Sequence, residues 1–337
     1  MLPLRPPSGK PTALVCTYAA TGHNSAVLSV DVTEDFMFTG SKDKTVKVWD
    51  LNTGEEILSL SGHKRDVVAV KYCHNTNCVY SVAQNLIKMW DVRQDSGKCI
   101  KTLTPQAGST ISGFISGITS DTQINDLQIS DHQLFAAMGN SVRIWDLKTF
   151  SMTGKLSGHA APVMTIKLKK RESDTLVFTG SRDHFVKIYE LSESNVGVQS
   201  PTYSLAPPHY DGVQCITIRG TSLYSGSRDN SIKKWDYETH QLQQHVTGAH
   251  KDWVCAIDHL PKREVLLSGC RGGYLKLWTV DTCQPICEIR AHRHPINAIA
   301  TNSSCVFTAS NDRLVRLWRA TGTLDDQLQE IRRAIQV

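Results

Sequence analysis

Six histidines recur along the chain at His23, His63, His159, His209, His250 and His292. An imidazole can bind zinc, move a proton near neutral pH, or bridge buried polar groups. A metal site needs several ligands converging on one point, and a general base needs a reacting partner within hydrogen-bond reach. The spacing points instead to the third role, because each histidine stands 26 to 30 residues upstream of an aromatic anchor: Trp49, Trp90, Tyr189, Trp235, Trp278 or Trp318. Equivalent positions in successive repeats are spread out in space, so they do not converge on one ion. The local pair His292-Arg293-His294 supplies two imidazoles from one loop, a poor metal site.

A buried imidazole must satisfy both ring nitrogens, since an unpaired buried polar group costs about 1–3 kcal/mol. In the first repeat, His23 is placed to bridge the Asp43 carboxylate and a hydroxyl of Thr39 or Ser41, which in turn meets the Trp49 indole. The matching acid recurs as Asp183, Asp229 and Asp312. Gln84, Gly139 and Gly272 stand where the others have the acid, and the repeat anchored by Trp145 has no such histidine. Those three networks are expected to be incomplete. No nucleotide cradle is present: Gly9-Lys10-Pro11-Thr12 lacks the upstream glycine spacing and has proline where the helix should start. There is no GxSxG elbow. Catalytic, metal and cofactor sites are therefore not expected.

The elements that carry these residues repeat. The anchors Trp49, Trp90, Trp145, Tyr189, Trp235, Trp278 and Trp318 are separated by 41, 55, 44, 46, 43 and 40 residues, close to a propeller-blade period. Within the first period the β-prone runs are Val27 to Val32, Phe36 to Thr39, Thr45 to Trp49 and Ile57 to Leu60, separated by turn-length segments. Four strands per unit follow, with no helix-length periodicity between them. Trp-Asp stands in four copies, and Gly-His at Gly22-His23, Gly62-His63 and Gly158-His159. On these motifs the chain resembles WD-repeat β-propellers, which implies an all-β, seven-bladed WD-repeat propeller over residues 12–319. A β-run from Thr12 to Tyr18 precedes the first Gly-His, and no fourth strand follows Trp318. The N-terminal strand is expected to close the last blade, removing an exposed edge. Residues 1–11 read as a proline-rich linker. Residues 320–337 read as a short helical tail, with Leu328, Ile331 and Ile335 at helical spacing, to pack under the propeller or begin a partner-binding helix. Ala107 to Thr122 and Ser192 to Pro208 read as long connections between blades.

Composition excludes little: 337 residues, 40% hydrophobic, 20% charged and a formal charge of +5. No apolar run approaches the ~20 residues that span a bilayer, so no membrane insertion is expected. The ten cysteines form no CxxC pair and sit mostly in apolar runs, as reduced, buried small side chains of a cytosolic protein. The sequon at Asn302 is then a chance match.

The family resemblance implies that the Gly-His loops and the acid-bearing turns emerge on one face. On that assumption Lys42, Arg182, Arg228 and Arg271 recur at one turn position, with Asn311 in the last repeat. Lys64, Arg65, Lys251 and Arg293 follow the histidines, and Lys44 and Arg313 lie in the turns. Asp66, Asp211 and Asp252 interrupt this basic rim. It is either a binding face or an ordinary mixed surface. Trp253 lies outside the repeat positions, either as an exposed hot spot or packed against the next loop, and Tyr210 occupies the equivalent loop of the neighbouring repeat. Such a rim suits acidic peptides better than nucleic acid.

The wording of TGHNSAVLSVDVTEDFMFTGSKDKTVKVWDL, PPHYDGVQC, SGSRDNSIKKWD and AHKDWVCAI is similar to the C-terminal propeller of kinesin-4 family motors that end in WD repeats, from about Leu14 to Trp318. That resemblance implies a plus-end-directed microtubule motor that restrains microtubule growth, with a motor domain and a dimerising coiled coil upstream of Met1. This propeller would then be a cytoplasmic, cytoskeleton-associated tail module that holds tubulin or cargo and turns over no ATP. The alternative is a peptide-recognition adaptor, such as a ubiquitin-ligase substrate receptor, reading acidic or phosphorylated segments.

Overall fold

The computed structural model describes residues 12–93, 97–104, 122–192 and 197–335. The proline-rich segment 1–11, most of the 107–122 connection, residues 193–196 and the last two residues of the tail lie outside the described residues. Seven separate sheets, antiparallel but for one added strand, follow one another along the chain.

Strand β1 (Leu14–Ala20) comes first, followed by blade one, β2 (Val27–Val32), β3 (Phe36–Ser41), β4 (Val46–Asp50) and β5 (Glu56–Leu60). Blade two holds β6 (Val67–Cys73), β7 (Cys78–Ala83), β8 (Leu86–Asp91) and β9 (Cys99–Leu103). Blade three holds β10 (Ile124–Ser130), β11 (Gln133–Met138), β12 (Ser141–Asp146) and β13 (Met152–Leu156). Blade four begins with β14 (Val163–Lys170), β15 (Asp174–Ser181) and β16 (Val186–Ser192). Next come β17 (Gly197–Gln199) and β18 (Tyr203–Ser204). Blade five holds β19 (Val213–Arg219), β20 (Ser222–Ser227), β21 (Ile232–Asp236) and β22 (Gln241–Val246). Blade six holds β23 (Val254–Leu260), β24 (Val265–Cys270), β25 (Tyr274–Thr279) and β26 (Pro285–Arg290). Blade seven holds β27 (Ile296–Thr301), β28 (Val306–Ser310) and β29 (Val315–Ala320), and the chain ends in α1 (Gly322–Ile335).

The ring closes as expected: β1 pairs antiparallel with β29, from Leu14 opposite Ala320 to Ala20 opposite Val315. The strand begins and ends two residues later than its sequence suggested. The segment read as a long connection from Ser192 to Pro208 is in part sheet. Its β17 pairs parallel with β13, giving blade three a fifth strand, and the two-residue β18 is the outer strand of blade four. With so short an outer strand on blade four, the chain instead covers the open edge of blade three.

Apolar clusters form between neighbouring blades, not inside one. Phe38, Val46, Val48 and Leu60 of blade one pack with Val67, Val70, Val79 and Trp90 of blade two. A glycine makes this approach possible: a Cβ on Gly226 would lie 2.6 Å from Val254 Cγ1, in the next blade. Polar side chains around the axis join blades as well. Asp31 accepts from Lys71 Nζ at 2.6 Å and from the Tyr72 amide at 2.8 Å, and Asp126 accepts from the Ile166 amide at 2.7 Å. Asn297 donates to the Val27 carbonyl at 2.6 Å, tying the last blade to the first. Helix α1 places Leu324 and Leu328 in the cluster that contains Leu14, Leu260 and Trp318, so the tail packs on the propeller. Arg263 adds a two-pronged ion pair to Asp325, at 2.9 and 3.0 Å.

Candidate partner-binding face

The loops of one face are held by the histidine networks. His23 Nδ1 lies 2.8 Å from Asp43 Oδ2, its Nε2 lies 2.7 Å from Thr39 Oγ1, and Trp49 Nε1 donates to that hydroxyl at 2.9 Å. Of the two candidate hydroxyls it is Thr39 that closes the network, while Ser41 Oγ caps the Asp43 amide at 3.1 Å. The same arrangement joins His209 with Asp229, Ser225 and Trp235, and His292 with Asp312, Thr308 and Trp318. His159 joins Asp183 and Thr179, but the anchor Tyr189 turns its hydroxyl to the Ser157 carbonyl at 3.1 Å. Burial pushes the Asp43 carboxyl up, but hydrogen bonds from Thr45 and His23 outweigh it and leave the group at about 2. Asp183 is likewise held at about 2, burial being opposed by the bond from His159.

Three blades depart from this arrangement. In blade six, His250 binds Ser268 at 2.7 Å and Trp278 donates to the same hydroxyl, but His250 Nδ1 has no partner where Gly272 replaces the acid. In blade two, His63 binds Ser81 and Trp90 does the same, and His63 Nδ1 again has no partner. Blade three has no histidine at the network position, and Trp145 Nε1 is unpaired among the described residues. One expectation needs correcting here. Gln84 and Gly139 do not replace the acid: Ala83 pairs directly with Leu86, and Met138 with Ser141, so these blades make two-residue turns that omit its position. Gln84 and Gly139 instead open those turns with φ of 56° and 54°. Burial, aided by Lys88, pushes His63 down to about 4, and burial with Lys276 pushes His250 down to about 3.

The turn residues before the acid share one main-chain anchor. The amides of Lys42, Arg182, Arg228, Arg271 and Asn311 donate to the carbonyls of Ala26, Pro162, Gly212, Trp253 and Pro295. These five residues therefore occupy one structural position in five blades. Lys42, Arg182 and Arg271 are exposed and Arg228 is half-buried. Lys64, Arg65, Lys251, Arg293 and Arg313 are exposed on the same set of loops and turns. Among the described residues, none of these bases makes a salt bridge; the ion pairs fall on other bases, such as Lys47, Lys71, Arg219 and Arg263.

Trp253 draws part of this rim together. Its ring lies between two guanidiniums, with Arg228 Cζ 4.4 Å and Arg271 Cζ 4.6 Å from a ring centre. Trp253 is half-buried, with Arg228 from the turn of the neighbouring blade and Arg271 from the turn of its own against the ring. Burial lowers the pKa of Arg228, and the positive charges of Arg182 and Arg271 lower it further, while Asp211 opposes them. Arg228 Nε is buried without an acceptor, and its Nη2 reaches Gln214 Oε1 only at 3.5 Å. Two arginines from successive blades thus converge on one tryptophan, and Arg182 of the preceding blade adds its charge beside Arg228. Tyr210 does not join them. It is 81% exposed and lies 6.4 Å, ring to ring, from His245 on the outer strand β22, whereas Trp253 leads into the inner strand β23.

The axis of the ring carries charged residues that the repeat positions do not mark. Asp31, Lys71, Asp126, Lys167 and Asp258 lie on the innermost strands β2, β6, β10, β14 and β23, around a cavity of about 200 Å³ lined in part by Lys71, Asp126 and Lys167. Burial raises the Asp126 and Asp258 carboxyls, against the pull of Lys71 and Lys167. The available signal was a charged residue inside an otherwise apolar β-run. The ten cysteines are free thiols, and no group of three or more His, Cys, Asp or Glu among the described residues could hold a metal ion. Asn302, the sequon residue, is buried, and its side chain donates to the Thr33 carbonyl and accepts from the Cys305 amide.

Six spans match the WD domain, G-beta repeat family: residues 14–50, 54–91, 150–190, 199–236, 241–279 and 283–319. The chain belongs to this family. The part of the WD-repeat propeller between the second and third spans contains most of blade three, the blade without the histidine. The chain is 50% identical to "Kinesin-like protein KIF21A" of Homo sapiens over 94% of its own length, and 48% identical to "Kinesin-like protein KIF21B" of the same organism over 90%. It spans only about a fifth of those relatives, 20% and 19% of their lengths. A ribosome biogenesis protein, YTM1 of Eremothecium gossypii, is 25% identical over 78% of this chain, so WD propellers of other kinds are also similar. Among solved structures, the WD40 β-propeller domain of Doa1 matches with a TM-score of 0.75, covering 93% of this chain and 99% of that one at 18% identity. That likeness shows the fold alone.

Proposed function

We propose that this chain is a non-catalytic protein-interaction propeller, the tail module of a kinesin-4 family motor, and that it binds acidic tubulin tails through the Arg182, Arg228, Arg271 and Trp253 face. The observation that carries the reading is the tryptophan held between two arginines, one of which has a buried donor without an acceptor. An acidic peptide would supply the missing carboxylate oxygens, since a guanidinium recognises a carboxylate through paired hydrogen bonds. The unpaired bases around the rim, Lys42, Lys64, Arg65, Lys251, Arg293 and Arg313, would add a weak, salt-screened attraction. Relatives named as kinesin-like, at about half identity over nearly the whole chain, favour this reading over a ubiquitin-ligase adaptor.

In the full protein, an upstream motor would supply plus-end-directed movement, and a dimerising coiled coil would pair two propellers. Two weak sites on one dimer then act with high effective concentration, which suits a tail that holds a growing microtubule and restrains its growth. Its place in the cell would be the cytoskeleton.

The test is co-sedimentation of the chain with stabilised microtubules across a salt series, repeated with the tubulin tails removed and with Arg228→Glu. Binding that weakens with salt and disappears in both controls supports the reading. Binding that survives tail removal places the contact elsewhere, and no binding at low salt defeats the microtubule role of the isolated propeller.

A further inference from the structure

We propose a second anion site, away from the contact of Arg228 and Arg271 with Trp253: a cleft on blade seven that takes the phosphate group of a phosphorylated serine or threonine segment. The cleft, of about 510 Å³, is lined by Arg293, His294, Asp312, Arg313 and Arg316 among others.

Arg316 is the residue that makes this cleft unusual. On β29 it stands opposite Thr308, the hydroxyl residue of its blade's network, as Lys47 stands opposite Thr39 in blade one. In five of the other blades the base at this position reaches an acceptor. Lys47 and Lys276 reach Glu56 and Glu288, Lys187 the Gly158 carbonyl, Lys233 the carbonyls of Pro207 and Pro208, and Lys88 the Cys99 sulfur. The Arg316 side chain has no hydrogen bond or ion pair among the described residues, and its Nε is buried without an acceptor. The reason lies in how the ring closes. The strand beside Arg316 is β1, Leu14–Ala20, which carries no acid, whereas β5 and β26 supply Glu56 and Glu288.

Two more guanidiniums border the same cleft, Arg293 from the histidine loop and Arg313 from the turn, both exposed and unpaired. Arg313 holds a left-handed backbone at φ 72°, a conformation that blade six fills with Gly273 and blade five with Asn230. Asp312 is the one acid in the lining, and both its oxygens are engaged, by His292 Nδ1 at 2.8 Å and by the Leu314 amide at 3.2 Å. Three arginines around a cleft match the three acceptor oxygens and near-double charge of a phosphate monoester better than a single carboxylate. The exposed large apolar residues, Phe36, Ile57, Ile100, Val198, Tyr203 and Tyr210, all lie outside blade seven. Among the described residues, no exposed large apolar side chain beside the cleft is there to enter a bilayer, which favours a phosphorylated peptide over a lipid headgroup.

The experiment follows the arginine Nε–Hε resonances of the whole chain while inorganic phosphate, O-phosphoserine or acetate is added at matched ionic strength. The expected result is a saturable shift of the Arg316 signal with both phosphates, about tenfold tighter than with acetate. Arg293→Gln and Arg313→Gln, at exposed positions that leave the fold intact, should each weaken it severalfold. Arg228→Glu, which should abolish microtubule co-sedimentation, should leave this shift unchanged, so the two sites fail separately. Equal shifts with acetate, a linear drift without saturation, or insensitivity to both glutamine variants would overturn the site. Binding of inorganic phosphate but not O-phosphoserine, or of phosphoinositide vesicles that O-phosphoserine does not displace, would overturn its assignment to a phosphopeptide.

Discussion

The guanidinium carbon of Arg228 lies 4.4 Å from a ring centre of Trp253, one blade further round the propeller, and Arg271 lies 4.6 Å from the same residue. The aromatic ring therefore serves the arginines: it holds two like charges close together at the rim and leaves their hydrogen-bonding edges to a ligand. Cation–π contacts of this kind contribute about 0.5–2 kcal/mol each.

Trp253→Ala should weaken binding of an acidic tubulin-tail peptide by about three- to tenfold, the loss expected when such a contact is removed. Trp253→Phe should recover part of it. Fluorescence anisotropy of a labelled peptide at low salt measures both, and equal affinity for all three proteins would show that the ring does not organise the site.

Gly272→Asp should stabilise the propeller. Gly272 occupies the acid position of a full-length turn, a Cβ there meets nothing closer than 3.5 Å, and His250 Nδ1 waits without a partner. Completing the network should add about 1 kcal/mol, read as a higher urea midpoint at pH 7.5. Asp229→Ala, which strips the same partner from His209, should cost about 1–3 kcal/mol. An unchanged midpoint for Gly272→Asp would mean that the imidazole and the new carboxylate do not meet.

Acid should weaken the fold in two stages. His63 and His250 are held at about 4 and about 3, below the ordinary 6.5, so the unfolded chain binds the proton first as pH falls. Their stabilising effect is complete above pH 6.5 and is lost progressively toward pH 3 to 4. Asp43 and Asp183, held at about 2 against 3.8, contribute above pH 3.8 and lose that contribution as pH falls toward 2. Urea midpoints at successive pH values should therefore decline already between pH 6.5 and 4, where the carboxylates are still charged. His63→Phe should flatten that first decline.

Leu324→Ala should destabilise the chain by about 2–3 kcal/mol, because Leu324 is fully buried between α1 and the propeller. Asp325→Ala removes a half-exposed ion pair with Arg263 and should cost less than about 1 kcal/mol. Thermal unfolding of the two variants tests the order. If Asp325→Ala costs more, charge and not packing holds the helix.

Much of the architecture was legible because the repeat is local. Turn, strand and anchor recur within some forty residues, so the blade number, the strand order and closure of the last blade by the first strand followed from spacing. So did the pairing of His23 with Asp43, since each repeat holds its own members of the network. The shortened turns at Gln84 and Gly139 escaped this logic, because a one-residue deletion in a hairpin turn keeps the β pattern on either side. The strand Gly197–Gln199 escaped it too: pairing at the edge of another blade has no local signature.

Residue type and period alone determined that this protein is a propeller with bases recurring at its turns. Which bases act together was decided by the packing of neighbouring blades, which brings Arg228 and Arg271 from two repeats onto one tryptophan. Closure of the ring set β1, a strand without an acid, beside Arg316 and left that arginine unneutralised. Charge at a repeat position is a property of the sequence. The acceptor that quenches it, or fails to, comes from a strand far away in the chain, and only the tertiary structure decides which strand that is.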